Sequence, residues 1–410
     1  MNISQQFSPP LKLIAPFFIV GIGVLLVSVL ALFGFDIAQV DIYSHTTLAW
    51  VHLFVLGFVM MVIMGAMAQL IPVVLEVEHV AVELYYAIYS FLFVGLALMV
   101  GGFYALPSLL PFGGLIVLIS FLIYLAETFL TMRKIKRVTF VVMSVFFANI
   151  FLLLGLIVAF MMALGYVGMA EVAIQKWLKV HVYFVLFGYV GITVMGMSLI
   201  LLPMFLLSHI KSWRLMQISL GVLVSALLVL AAATIFELRL LEKVADWMVL
   251  GSFVLYGYEI VKLYKNRMRI ESDIYFKSMV FSYGSFFTLL VGLVVAVVYP
   301  MGQLLLTLGW IAFSGFVMFL ISGHLYKIVP FLVWYEKYSQ LVGKENVPML
   351  ADMVPTRSAA MQFVLSSVGV VVVALGIFSM NDTVFKSGVS FLVFGILFLV
   401  KDIIYMMRYK

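Results

Sequence analysis

The sequence predicts an all-α, polytopic membrane protein with twelve transmembrane helices in three pseudo-equivalent repeats of four. Three observations predict it: an apolar composition, twelve long apolar segments, and a glycine–proline pattern that occurs three times. Of the 410 residues, 66% are hydrophobic and only 10% are charged. A water-soluble protein would need a more polar surface, so this composition is typical of a chain that crosses a membrane many times.

A helix needs about 20 apolar residues to cross the hydrocarbon core of a bilayer. We number the twelve segments that meet this requirement helices 1 to 12; they cover residues 11–34, 46–75, 81–104, 108–131, 138–165, 176–207, 214–237, 244–264, 275–299, 302–334, 357–380 and 384–407. The first segment lacks a signal-peptide cleavage pattern, so we expect it to be retained. The whole chain, residues 1–410, is then expected to form a single membrane domain.

Helices 2, 6 and 10 share a pattern of two glycines followed by a proline. The three copies are Gly57, Gly65 and Pro72; Gly188, Gly196 and Pro203; and Gly315, Gly323 and Pro330. Their first glycines lie 131 and 127 residues apart. A pattern with a near-constant period indicates internal repetition. We therefore expect repeats at about residues 11–131, 138–264 and 275–407.

The loop charges predict the orientation. If the N-terminus is cytoplasmic, the inner segments hold nineteen Lys and Arg residues and the outer loops hold five, namely Lys176, Lys179, Arg239, Lys243 and Lys386. Positive residues concentrate on the cytoplasmic side of membrane proteins. We expect both termini to be cytoplasmic, in an inner or plasma membrane. Since the positive charge is explained by topology, we expect membrane lipid and no nucleic acid as a partner.

The chain contains no cysteine. This excludes disulfides, thiolate metal sites, iron–sulfur clusters and covalently attached c-type haem. A bound metal or haem would need His, Met, Tyr or carboxylate ligands.

Two of the six histidines, His52 and His181, lie early in helices 2 and 6. They precede the first glycine of the pattern by five and seven residues, so their depths differ by about 3 Å at 1.5 Å per residue. Imidazoles inside apolar helices are costly and are functional candidates. The pair is predicted to supply the axial ligands of a non-covalent haem b, with Gly57 and Gly188 making room for the macrocycle.

The alternative for these histidines is a simple hydrogen bond to a neighbouring carbonyl, with glycines at close helix contacts. His45 lies two turns before His52. It is a candidate for a supporting position beside the haem or for a second haem.

The stretches HLFVLGFVMMVIMGAMAQLIPVV, from His52, and HVYFVLFGYVGITVMGMSLILLP, from His181, resemble subunit I of the haem–copper oxidase superfamily. They resemble its short NnrS-like relatives, haem-containing membrane proteins linked to nitric oxide metabolism, more closely. The resemblance implies a haem–copper oxidase subunit I-like fold, with His52 ligating a low-spin haem and His181 near a copper-ligand position.

The sequence departs from the oxidase pattern at two places. The start of helix 10, LLLTLGWIAF, lacks the His-x-His motif of the family, and helix 7, ISLGVLVSALLVLAAATIF, lacks its His-His pair. We therefore expect no copper and no copper–haem oxygen-reducing centre. The threefold pattern offers His181 as the partner of His52, and a His/Met pair with Met60, Met61 or Met195 is the alternative.

A second group of polar residues lies near the repeat prolines, at the predicted inner ends of helices 2, 6 and 10. Its members are Glu76, Glu78, His79, His209, His324 and Tyr326. They are a candidate site for a quinone head-group or for proton transfer. The alternative is that interfacial charges cap helices and pair with lysines. Glu127 is expected to extend toward the nearby basic residues, and Glu259 to form a surface pair with Lys262.

These observations predict a b-type haem protein for electron transfer within the membrane, a candidate oxidoreductase that exchanges electrons with quinone or with a redox protein. An NnrS-like role, in which the haem binds nitric oxide or another small molecule, is one alternative. A haem-free transporter is the other. The repeated small residues are compatible with a homo-oligomer.

Overall fold

The computed structural model describes residues 9–209, 212–299 and 301–409. Within these ranges twelve helices are long and apolar enough to cross a membrane. They are α1 (Leu11–Gly34), α2 (His45–Leu75), α3 (Leu84–Tyr104), α4 (Pro107–Met132), α5 (Phe140–Tyr166), α6 (Ile174–Leu206), α7 (Arg214–Ile235), α8 (Arg239–Lys265), α9 (Ile274–Val298), α10 (Gly302–Lys337), α11 (Thr356–Phe378) and α12 (Asp382–Met407). For the described residues, the predictions of an all-α fold and of twelve helices long and apolar enough to span a membrane are confirmed.

The helix boundaries differ most at α8. Helix 8 was predicted to begin at residue 244, but α8 begins at Arg239, so Arg239 and Lys243 lie in its first turns and not in a loop. The apolar run marks only the part of a helix that could sit in hydrocarbon, while the polar first turn continues beyond it. Two of the charges that predicted the orientation, Lys211 and Lys410, lie outside the described residues.

The chain divides into two compact units, Met1–Ile71 with Ser272–Lys410, and Pro72–Glu271. The first unit contains α1, most of α2 and α9 to α12. The second contains the last turn of α2 and α3 to α8. The single domain and the three repeats stay predictions.

Close backbone contact between α3 and α4 shapes the second unit. A Cβ atom added at Gly95 would lie 2.8 Å from the backbone nitrogen of Val117, and one added at Gly113 would lie 2.7 Å from that of Met99. Small residues let two helices approach until their backbones touch, and this is how helices gain contact in a lipid solvent.

The hairpin of α11 and α12 in the first unit has the same kind of contact. A Cβ atom added at Gly369 would lie 2.8 Å from the backbone nitrogen of Leu392, and one added at Gly388 would lie 2.5 Å from that of Val373. Gly369 and Gly388 are therefore placed against the facing backbone as Gly95 and Gly113 are in the second unit.

Serines take the place of these glycines between α7 and α8. The Ser219 hydroxyl donates to the Ser252 carbonyl at 2.8 Å, and the Ser252 hydroxyl donates to the Ser219 carbonyl at 2.7 Å. Both side chains are fully buried. Each hydroxyl therefore donates a hydrogen bond to a backbone carbonyl of the other helix, where the two helices lie close together.

The last helix of each predicted repeat has a buried stripe of residues, and the spacing along the stripe is the same in all three helices. Two small residues and then a carboxylate follow each other at intervals of seven: Gly113, Ser120 and Glu127 in α4; Ala245, Ser252 and Glu259 in α8; Gly388, Gly395 and Asp402 in α12. Residues seven apart lie on the same face of a helix. The stripe ends in a buried carboxylate in all three helices.

The second glycine of the repeat pattern lies against the preceding helix in each of α2, α6 and α10. An added Cβ would lie 2.7 Å from Phe17 of α1 at Gly65, 2.7 Å from Ser144 of α5 at Gly196, and 2.8 Å from Ser278 of α9 at Gly323. These three glycines are needed for close helix packing.

We expect Gly376→Ala to destabilise the protein, because its Cβ would lie 2.5 Å from the backbone of Phe385 in α12. Overpacking of this kind costs about 1–3 kcal/mol. The matched control is Gly251→Ala in α8, where an added Cβ meets nothing within 4 Å and the higher helix propensity of alanine gains up to about 1 kcal/mol. Thermal unfolding in detergent should give a lower midpoint for Gly376→Ala; equal midpoints would contradict the packing of α11 on α12.

Candidate functional site

Three of the long helices contain a π-helical segment around the first glycine of the repeat pattern. The segments are Val55–Met60 in α2, Tyr183–Gly191 in α6 and Ile311–Val317 in α10. π-helical turns are rare and occur frequently at functional sites. They direct attention to the residues immediately before them, which include His52 and His181.

His52, in the first unit, is half-buried, and its Nδ1 atom lies 2.7 Å from the carbonyl oxygen of Leu48 one turn earlier. A carbonyl oxygen can only accept a hydrogen bond, so Nδ1 carries the proton. In the neutral ring, Nε2 then has the lone pair that a metal ion would use.

His181, in the second unit, has the same tautomer by a different contact. Its Nδ1 atom lies 3.0 Å from the carbonyl oxygen of Gly155 in α5. α5 comes close there because Gly155 has no side chain; an added Cβ would lie 2.8 Å from Val185 and 3.2 Å from Phe184. The hydrogen bond fixes the ring orientation and leaves the lone pair on Nε2.

Charged residues attach the first turns of α6 to α8 and its preceding loop. The Asp246 carboxylate lies 2.9 Å from the Lys179 ammonium and accepts from the Tyr183 hydroxyl at 2.6 Å. Lys176 lies 2.7 Å from Glu237 and lowers the pKa of this exposed carboxyl by donating a hydrogen bond and by its positive charge. Lys176 and Lys179, which the orientation analysis counted with an outer loop, thus lie in the helix and fix the segment that carries His181.

One of the two glycines predicted to make room for the haem macrocycle has a different role. The space beside Gly188 is filled by Phe151 of α5, whose Cβ would lie 2.6 Å from an added side chain. Gly188 therefore makes room for a neighbouring helix, as the alternative interpretation of the glycines expected.

An aromatic cluster occupies the first unit at the start of α10, where the family pattern has histidines. Trp310 lies 6.0 Å from Trp50, and Phe313 lies 5.6 Å from Phe54, between ring centroids. The indole nitrogens of Trp50 and Trp310 donate to the carbonyls of Ser28 in α1 and Val370 in α11, each at 3.0 Å. The cluster fastens α2 and α10 to their neighbours.

His45 is the exposed first residue of α2, directly after the capping residue Ser44. Its predicted position beside the haem, or at a second haem, stays a prediction.

His79 and Glu127 form a buried pair in the second unit. His79 Nδ1 lies 2.7 Å from Glu127 Oε1, and the side chains are 5% and 0% exposed. The Thr131 hydroxyl donates to the same oxygen at 2.8 Å and accepts from the backbone N–H of Val80 at 3.2 Å. The prediction that Glu127 extends toward the basic residues is therefore wrong, because the loop after α2 folds over it and pairs it with an imidazole.

Three buried tyrosines continue from this pair. The Tyr85 ring lies 5.4 Å from the His79 ring and 6.5 Å from the Tyr124 ring, edge-on in both cases. The hydroxyl oxygens of Tyr124 and Tyr189 are 3.3 Å apart. All three side chains are at most 1% exposed, so hydroxyls and a carboxylate are gathered inside an apolar unit.

In the first unit, His324 and Tyr326 lie near the C-terminal end of α10. His324 Nδ1 lies 2.7 Å from the carbonyl oxygen of Leu320, and its ring lies 5.2 Å from that of Tyr275. The Tyr326 hydroxyl donates to the buried carboxylate of Asp402 at 2.7 Å.

The remaining members of the predicted inner group are not in such networks. Glu76, Glu78 and His209 are exposed. Glu76 has a left-handed backbone conformation with a φ of 54°, and Leu207 after α6 has one with a φ of 52°. Its neighbour Val77 donates back to the carbonyl of Pro72 at 3.1 Å, which ends α2.

One buried carboxylate, Asp402, escaped the sequence analysis, and Glu127 and Glu259 were not predicted to be buried. Glu259 bonds Lys262 at 2.7 Å as predicted, but its side chain is only 6% exposed and the pair does not lie on a free surface. The seven-residue spacing of small residues that precedes Glu127, Glu259 and Asp402 would have predicted their burial.

Within the described residues, no group of three or more His, Asp or Glu side chains is arranged to hold a metal ion. No protein-family model matches the sequence, and no curated protein matches it significantly. The likeness to the haem–copper oxidase superfamily therefore rests on the sequence patterns alone.

We expect His79→Ala to lower the thermal stability of the protein strongly. Removing one partner of a buried pair leaves the other uncompensated, which costs about 3–5 kcal/mol. The second change Glu127→Gln should recover part of the loss, because no charge is then left buried. His209→Ala is the control, since that imidazole is exposed. Equal unfolding midpoints for His79→Ala and His209→Ala would refute the buried pair.

Proposed function

We propose that the protein is a b-type haem membrane protein for electron transfer, with His52 and His181 as axial ligands. Quinone or a redox protein is the proposed exchange partner, and both termini are proposed to be cytoplasmic. A subunit I-like arrangement of three four-helix repeats is part of this proposal. It is supported by the glycine contacts of α2, α6 and α10 and by the common stripe of α4, α8 and α12.

One observation carries the haem proposal: both histidines hold their Nδ1 proton against a backbone carbonyl, at 2.7 Å and 3.0 Å. A histidine that ligates a metal almost always donates its other ring nitrogen to a carbonyl or carboxylate. The hydrogen bond selects the tautomer and orients the imidazole ring before haem binds. His52 and His181 therefore fit the role of axial ligands.

The surroundings of the two histidines suit an electron carrier. Each lies in a helix just before a π-helical segment. The aromatic cluster of Trp50 and Phe54 fixes α2 beside His52. When bound, a bis-histidine haem b supplies reversible one-electron transfer. The contribution of the protein is to keep both imidazole rings neutral and correctly oriented.

We expect the purified protein to show sharp low-spin haem bands that carbon monoxide does not change. His52→Ala and His181→Ala should each abolish these bands, because each removes one axial ligand, and added imidazole should restore them. The matched control is His324→Ala, since His324 makes the same Nδ1 bond to the carbonyl one turn earlier. His209→Ala is an exposed control. Both should keep the spectrum.

Normal bands in both His52→Ala and His181→Ala would exclude them as ligands. A shift on adding carbon monoxide to the wild type would indicate an open iron and favour binding of nitric oxide or another small molecule. Absence of haem from protein produced with ample haem would leave the transporter as the better function.

The exchange partner is tested with the same preparation in nanodiscs. We expect a short-chain quinol to reduce the haem on mixing, as dithionite does, because the proposed donor is a membrane quinol. Reduction by dithionite but not by ubiquinol or menaquinol analogues would exclude quinone and point to a redox protein.

A further inference from the structure

Glu127 is the most deeply buried carboxylate of the second unit that makes no bond to a lysine or arginine in the described residues. Its side chain is 0% exposed, and among the described residues no donor lies within hydrogen-bond geometry of Oε2. An ionised carboxylate in such a place is costly, because desolvation is only partly repaid by its hydrogen bonds. Groups of this kind inside membranes commonly bind and transfer protons.

His79 lies between this carboxylate and an exposed loop. It follows the exposed residues Glu76 and Glu78 in the loop between α2 and α3. Lys134 closes over the loop and donates to the carbonyl of Glu78 at 3.0 Å. His79 therefore lies between an exposed loop and a buried acid, and its Nδ1 atom is 2.7 Å from that acid.

The bond between His79 and Glu127 can carry a proton without any rotation of the ring. Nδ1 passes its proton to Oε1, and Nε2 of the same imidazole takes another proton from the loop side. The carboxylate becomes a carboxylic acid, the imidazole stays neutral, and the pair gains one proton in total. Imidazole is suited to this because both its nitrogens exchange protons.

A pair of tyrosine hydroxyls joins α4, the helix that carries Glu127, to α6. Tyr124 lies one helical turn before Glu127 on the same face of α4, and its oxygen is 3.3 Å from that of Tyr189. Tyr85 of α3 packs against both His79 and Tyr124. The proton stays on Glu127 in this arrangement, and the series of Tyr124 and Tyr189 keeps its own hydroxyl protons.

Tyr189 belongs to the π-helical segment of α6, eight residues or about 12 Å after His181. We propose that Glu127 is a proton-binding site, loaded through His79 and connected by Tyr124 to Tyr189. Its purpose rests on the proposed haem function: an electron added to a haem on α6 places negative charge in a low-dielectric region, and an arriving proton neutralises it.

Glu259 provides a matched control for every test. It stands at the same position of the seven-residue stripe in α8 and is also buried, but it pairs with Lys262 and has no histidine partner among the described contacts. Glu259→Gln removes a buried carboxylate from an equivalent place without touching the proposed series.

The first test is independent of haem. Infrared spectra of the full-length protein in nanodiscs, recorded as the pH is lowered, should show the carbonyl stretch of a protonated carboxylic acid, shifted in D2O, that Glu127→Gln removes and Glu259→Gln keeps. His79→Gln retains a hydrogen-bond donor but cannot relay a proton, so the shift in D2O should slow about 100-fold.

Two results would overturn the proposal here. No acid band that depends on Glu127 would mean that the carboxylate is always ionised. An unchanged exchange rate in His79→Gln would mean that protons do not enter through His79.

The second test measures proton uptake from a pH indicator while the haem is reduced electrochemically. Wild type and Glu259→Gln should take up protons, and Glu127→Gln should lose most of this uptake while keeping the haem spectrum. Equal uptake in Glu127→Gln would overturn the connection to the haem. A wild type without haem bands would instead refute the proposed function, and the infrared result would stand independently.

Discussion

Hydrocarbon cannot hydrogen-bond to a peptide group, and the other features of this protein depend on that constraint. Each spanning segment must satisfy its own N–H and C=O groups, so the described chain is built from helices. Water does not drive such helices together, because lipid is as apolar as their side chains. Contact comes from small residues that let backbones meet, as Gly95 and Gly113 do in one unit and Gly369 and Gly388 do in the other.

The same constraint decides what happens to the few polar side chains inside. A polar group within an apolar bundle needs a partner, and the partners here are local or come from the adjacent helix. Ser219 and Ser252 bond each other's backbone, and the two proposed haem ligands bond carbonyls. For these histidines one hydrogen bond meets both a structural and a chemical requirement. The carbonyl gives the buried Nδ1–H a hydrogen-bond partner, and it also determines that Nε2 is the basic nitrogen. Glu127 has its imidazole partner for the same reason.

The sequence predicted the helices well, since hydropathy reports length in hydrocarbon directly, and it failed where polar turns extend a helix, as at Arg239. It placed the repeat glycines but not their purpose: Gly188 accommodates Phe151, which only the packing of α5 reveals. It singled out His79 as a candidate but not Glu127 as its partner, because 48 residues separate them and the loop geometry that joins them has no sequence pattern. The buried stripe of small residues was readable in advance, from its period of seven.

The π-helical segments divide each of α2, α6 and α10 into a half before the segment and a half after it. Such a segment holds one residue more than the α-helix it interrupts, and one residue turns the following side chains by about 100° around the axis. Before it lie the histidines or Trp310; after it lie the glycines that touch the neighbouring helix. An insertion or deletion of one residue in this segment would re-aim the first half and leave the second half packed as before. Such single-residue changes give the fold a way to evolve new ligands on an unchanged scaffold.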